Sequence, residues 1–106
     1  MFADPDVLIS RIPDQLSVEL DGEIAILKLE SKMYFGLTDV GAFIWNWLET
    51  PTVLITLAQA VSAHFEVNPA QAAADAERFL SELEGAGLLK ITRKNETSSQ
   101  KINAFK

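Results

Sequence analysis

The pair Asp21-Gly22 lies between two apolar-rich runs, and it restricts the first half of the chain more than any other feature. A two-residue Asp-Gly loop takes positive φ at both positions and matches the twist of paired strands. A tight antiparallel hairpin is therefore expected over QLSVELDGEIAILKL. The turn also sets the register: Leu20 faces Glu23, Val18 faces Ala25 and Leu16 faces Leu27. A second tight connection at Ser31-Lys32 returns residues 33–37 as a third strand. Leu29 then faces Tyr34, Lys28 faces Phe35 and Ile26 faces Leu37.

In this register one sheet face carries Leu16, Val18, Leu20, Leu27, Leu29 and Tyr34, and the other carries Ile24, Ile26, Phe35 and Leu37. A small antiparallel sheet ordinarily buries one face and wets the other. The surplus calls for a second cover: the N-terminal segment, the sheet's own coil, or a partner. A one-residue slip would exchange the faces, so alternation alone leaves these three open.

Beyond Leu37 the apolar period changes from two to that of a helix. A first helix is expected over about 39–48, capped by Thr38, with Val40, Phe43, Ile44, Trp47 and Leu48 inward. Trp45 lies about 200° from Trp47, so one stripe cannot bury both; Trp47 is assigned to the core and Trp45 to a helix–helix edge, with contact to a partner as the alternative. Thr50-Pro51-Thr52 breaks the chain and offers a cap for a second helix over about 53–64. Asn68-Pro69 caps and starts a third, about 69–85, which Gly85 and Gly87 end. LLKIT at 88–92 has strand character, as a wing or a return strand. Pro5 and Pro13 leave residues 1–14 irregular in this reading. The expectation is an α+β domain over 15–92, winged helix-turn-helix-like: a three-stranded antiparallel N-terminal sheet, three helices and a short wing strand.

The chemistry open to such a chain is narrow. Cysteine is absent and His64 is the sole histidine, so thiolate zinc sites, cysteine nucleophiles and His-pair machinery are excluded. His64 reads as a structural or surface histidine at a helix C-terminus, where the dipole favours an imidazolium. Asp75 and Glu82 share a flank of the third helix and read as solvated carboxylates sooner than as an acid–base pair. No Gly-rich phosphate loop or HExxH occurs. No enzyme, cofactor or metal is expected. The acidic start does not resemble a signal peptide, and no run approaches the ~18 to 20 apolar residues of a membrane span. A cytoplasmic protein is expected.

Charge argues against nucleic acid. Residues 93–106 hold Arg93, Lys94, Lys101 and Lys106 against Glu96, and form an expected flexible basic tail. Residues 1–92 hold five bases against fourteen acids, a balance of −9. The third helix carries Asp75, Glu77, Glu82 and Glu84 against Arg78 alone, the wrong sign for a recognition helix. A winged-helix transcription regulator is thus disfavoured, while a structural homodimer using the spare sheet face stays open.

The run Leu27-Lys28-Leu29-Glu30-Ser31-Lys32-Met33-Tyr34-Phe35-Gly36-Leu37-Thr38 resembles the LDxxSGxYYxLN strand-turn-strand of PqqD-like proteins. The likeness continues through Val40-Gly41-Ala42, Ile44-Trp45 and Leu48, then Phe65, Val67 and Pro69, and closes on Phe79-Leu80, Leu83 and Gly87-Leu88-Leu89. It covers roughly residues 15–90. Lys28 departs from the pattern's acid, Lys32 from its turn glycine, and Val53-Leu54-Ile55 from a more acidic helix start.

The resemblance implies a RiPP recognition element, a domain that binds the leader of a ribosomally made precursor peptide. The leader would add as a strand along Met33, Tyr34, Phe35, Gly36 and Leu37. It would lie against Asp75, Ala76, Glu77, Phe79, Leu80, Glu82 and Leu83 of the third helix. Main-chain pairing would give affinity and apolar pockets specificity. Met33 is expected to offer an outward N–H to the guest. The implied partners are a precursor leader and a separate maturation enzyme, such as the leader peptidase of a lasso-peptide pathway. The alternative is a radical SAM enzyme of pyrroloquinoline quinone synthesis. A monomer or weak homodimer is expected.

Overall fold

Asp21 and Gly22 both take positive φ, 53° and 81°, and join β2 (Gln15–Leu20) to β3 (Glu23–Lys28) in the expected register. A computed structural model describes residues 2–93. After β3 the chain returns as β4 (Met33–Leu37), giving an antiparallel sheet in the order β2-β3-β4. The second connection differs from expectation. Ile26 faces Phe35, Ile24 faces Leu37 and Lys28 faces Met33, a two-residue shift. The loop is Leu29–Lys32, closed by the Lys32 N–H donating to the Lys28 carbonyl at 2.8 Å, with Lys32 at φ 61°. An even shift keeps every side chain on its face.

Burial then decides between those faces. Ile24 and Ile26 are buried, with Phe35 and Leu37 packed against the core. Leu16, Val18, Leu20 and Tyr34 are exposed, Tyr34 to 75 %. The N-terminal segment does not cover them.

That segment has another task. Residues 7–11 are not irregular: β1 (Val7–Arg11) pairs antiparallel with β5 (Leu89–Arg93) in a separate two-stranded sheet. Val7 and Ile9 are fully buried. Ile9 and Thr52 exchange two backbone hydrogen bonds at 2.7 and 2.9 Å, so Thr52 stitches the break between helices to β1 instead of capping a helix. Pro5 and Pro13 flank the strand, and so leave its donors intact. The C-terminal strand is accordingly a return strand, not a free wing. Arg93, assigned to the tail, ends β5; the tail expected over the following residues lies outside the described part.

Three helices close the core: α1 (Asp39–Trp47), α2 (Leu54–Phe65) and α3 (Pro69–Gly85). The Asn68 side chain caps α3, accepting from the Ala70 N–H at 2.8 Å, whereas Thr38 precedes α1 without a side-chain cap. The tryptophan assignment is reversed. Trp45 is fully buried, its Nε1–H donating to Ser17 Oγ at 2.9 Å and its ring 5.0 Å beneath the Arg11 guanidinium. Trp47 is 39 % exposed beside Phe43. The inward stripe of α1 is Ala42, Ile44, Trp45 and Leu48, because α1 must seal both the inner sheet face and β1. No helix among the described residues is long and apolar enough to cross a membrane.

Candidate functional site

Strand β4 has a partner on one side only. The two-residue turn makes Leu20–Glu23 a hydrogen-bonded pair, and such pairs recur at every second residue. The Leu29 N–H donates to the Asp14 carbonyl at 3.2 Å, in the same phase. The backbone groups of Ile24, Ile26 and Lys28 therefore turn toward β4 and meet those of Leu37, Phe35 and Met33. Tyr34 and Gly36 are left with N–H and C=O aimed away from the sheet. Met33 is thus not an outward donor, since its N–H belongs to the β3 ladder.

Beside this edge lies α3, and between them is a groove of about 370 Å³. Phe35 and Leu37 form its β4 wall; Phe79, Leu83 and Ala86 form the helix wall, with Leu88 at the base. A second cavity of about 330 Å³ continues past Phe79 and Glu82 to Val40, Gly41, Asp75 and Arg78. Successive residues of α3 are about 100° apart. Ala72, Ala76, Leu80 and Leu83 bind the helix to the core, while Asp75, Phe79, Glu82 and Ala86 form the neighbouring stripe toward β4.

Two glycines make the walls possible. A side-chain carbon on Gly41 would meet the Phe79 ring at 3.1 Å, so the missing side chain lets that ring lie against α1. Gly87 has φ 74°, and the Lys28 ammonium occupies the space beside it. Lys28 Nζ donates to the Ala86 carbonyl at 3.3 Å, placing a cation at the negative end of α3.

The groove is apolar with charged margins. Arg78 and Asp75 pair at 3.0 Å and largely offset one another. Glu82 forms no ion pair among the described residues.

Of the residues expected at the site, Tyr34, Phe35, Gly36, Leu37, Phe79, Glu82 and Leu83 come together at the groove, and Asp75 lines its continuation. Ala76 and Leu80 are fully buried and present nothing to a peptide. Glu77 is exposed but lines neither cavity, and Met33 stands at the start of the strand, outside the lining. Ala86, Leu88, Val40, Gly41, Arg78 and Lys28 were not anticipated. The i+4 step from Glu82 to Ala86 was the available signal for Ala86.

His64 is exposed and stacks on Phe43 with ring centroids 4.4 Å apart. Among the described residues its side chain takes part in no hydrogen bond. Among the described residues no group of three histidines or carboxylates is placed to hold a metal ion.

Comparison with known proteins follows the same outline. The profile of the family described as Coenzyme PQQ synthesis protein D (PqqD) matches residues 23–89, from β3 through the groove to the start of β5. Curated proteins give no match. Among solved structures, TbiB1 in complex with the TbiA(beta) leader peptide aligns with a TM-score of 0.72 and 30% identity, covering 76% of this chain and 94% of that one. Lasso peptide synthetase B1 complexed with the leader peptide aligns with a TM-score of 0.69 and 22% identity, over 77% and 96%. The PqqD truncation of Methylobacterium extorquens PqqCD, described as a stand-alone RiPP recognition element, aligns at 0.65 and 16% identity, over 78% and 88%. The last two likenesses concern the fold alone.

Proposed function

Because the chain belongs to the PqqD family, we propose that it is a non-catalytic RiPP recognition element that binds a precursor leader peptide by strand addition at β4. The observation that carries this reading is the free edge at Tyr34 and Gly36 beside an apolar groove of about 370 Å³. A guest strand gains main-chain hydrogen bonds on one side and inserts alternate side chains between Phe35, Leu37, Phe79 and Leu83. Affinity comes from those anchors, with a hot-spot side chain contributing about 2 kcal/mol or more.

A lasso-peptide pathway is the preferred setting. TbiB1 is both the more similar by sequence and itself bound to a leader. The PqqD truncation keeps a radical SAM pathway of cofactor synthesis as the second reading. In either setting the protein hands its peptide to a separate maturation enzyme. The uncovered apolar face of Leu16, Val18 and Leu20 supports a protein partner beyond the peptide. A monomer or weak homodimer in the cytoplasm, with a winged-helix-like arrangement turned to peptide binding, completes the proposal. The helix α3 that a DNA-binding relative would lay in the major groove carries four acids against one base.

The test is a titration of isotope-labelled protein with leader peptides of the two pathways. Amide shifts at Tyr34 and Gly36, with the helix wall moving at Phe79 and Leu83, are expected. Saturable binding that shifts only residues remote from β4 and α3 sinks the site, and no binding by any leader sinks the function.

A further inference from the structure

The groove is polar in the electrical sense. At its Met33 end the Lys28 side chain reaches the helix wall, held by a hydrogen bond to the Ala86 carbonyl. An ammonium carries three donors. No carboxylate pairs with it among the described residues. One helical turn back along the same wall, Glu82 lines both the groove and its continuation, again without an ion-pair partner among the described residues. Asp75, still farther along, is already paired with Arg78.

From these positions we propose that Lys28 and Glu82 fix the charge order of the bound leader. The groove takes a strand with a carboxylate side chain beside the Met33 end and a basic side chain beside the Leu37 end. The four-residue step from Ala86 back to Glu82 rises about 6 Å along the helix axis, close to two residues of an extended strand. Running antiparallel to β4, as every strand pair of the described sheets does, the guest carries the basic residue at position i and the acidic one at i+2, on its groove-facing side. This rests on the groove being the leader site and adds the class of leader it selects. It also gives a role to the lysine that stands where the family's strand motif has an acid.

The experiment compares three synthetic peptides of one apolar pattern by calorimetry: Asp and Lys in the proposed order, the same two residues exchanged, and both replaced by Gln. Each half-exposed pair changes affinity by up to about fivefold. The proposed order is expected to bind several-fold tighter than the Gln peptide and the exchanged order weaker than it, with the differences collapsing in 1 M salt. Glu82→Lys, on an exposed turn where folding is not at stake, should remove the preference for the basic residue. The double variant Lys28→Glu, Glu82→Lys should prefer the exchanged peptide. Lys28→Arg keeps the charge and should keep the order even where Lys28→Glu alone lowers the melting temperature. Equal affinity for all three peptides overturns the charge-order inference and leaves the groove standing; binding of none overturns the groove itself.

Discussion

The Phe79 ring lies 3.1 Å from the point that a side-chain carbon on Gly41 would occupy, so a helix–helix contact sets the width of the groove. Alanine at Gly41 gains up to about 1 kcal/mol of helix propensity. It also pushes the ring a few tenths of an ångström away, and the half-buried ring borders both the groove and its continuation, so the shift alters the wall that a guest meets. Gly41→Ala should therefore keep its stability within about 1 kcal/mol of the parent while weakening leader binding. Parallel melting and calorimetry check this; unchanged affinity would mean that the Phe79 wall does not touch the guest.

Proline separates the two sides of β4. Tyr34→Pro removes an N–H that points away from the sheet, which an edge strand tolerates. A guest hydrogen bond is lost, worth about 1 kcal/mol, or roughly fivefold in affinity. Met33→Pro removes an N–H directed at Lys28 and should lower the melting temperature. If the two substitutions behave alike in both measurements, the hydrogen-bonding phase assigned to β4 is wrong.

Ile9 is fully buried and exchanges both backbone bonds with Thr52. Ile9→Ala should cost about 2–4 kcal/mol in urea unfolding. Deletion of residues 1–11 should leave no cooperative transition, because β5 loses the strand it pairs with among the described residues. A truncated protein that melts cooperatively near the parent's temperature would show that the β1–β5 sheet is an accessory.

How much of this was legible depends on whether the signal was local. Asp21-Gly22 declared the hairpin and its register, and Asn68-Pro69 declared where α3 starts, because each acts within four residues. Strand β1 was not legible: five residues between two prolines become a strand only by meeting β5 some eighty positions later. The β4 register slipped because nothing marks Lys32 as left-handed when a glycine is absent. At the site, Phe35 and Leu37 stood on an apolar face whose cover spacing left open, and Phe79 and Leu83 entered as groove residues only through the family resemblance. Ala76 and Leu80 were over-read because the groove and core stripes of α3 are one residue apart, too close for periodicity to divide.

A clasp at the N-terminus should report on acid. The Asp4 carboxylate accepts the Asp6 N–H at 2.9 Å and an Arg93 N–H at 2.8 Å. The backbone hydrogen bond first, then Arg93, holds its pKa below the ordinary carboxylate value. A depressed folded-state pKa contributes stability above the unfolded value near 4 and loses it as pH falls through the folded value. Protection of the Val7–Arg11 amides, corrected for intrinsic exchange, should drop in that window. In Asp4→Asn it should already be lower at pH 7 and change less on acidification. Identical profiles for the two proteins would remove the clasp from the account of β1.

Lys32 offers the last test, because it occupies a conformation that suits another residue. Its φ of 61° lies in the left-handed region, where a side chain costs about 1–2 kcal/mol relative to the right-handed one. The turn still needs this geometry, since the Lys32 N–H closes the loop on Lys28. Glycine there relieves the crowding but gives the unfolded chain more freedom, a counter-effect of about 0.5–1 kcal/mol. The difference favours glycine, the residue that the family's motif carries at this place. Lys32→Gly should raise the urea midpoint by an amount equivalent to about 0.5–1 kcal/mol with the slope unchanged. Because Lys32 lies outside the groove lining, leader affinity should not move. A lowered midpoint would show that the lysine side chain contributes to the turn more than its backbone strain takes away.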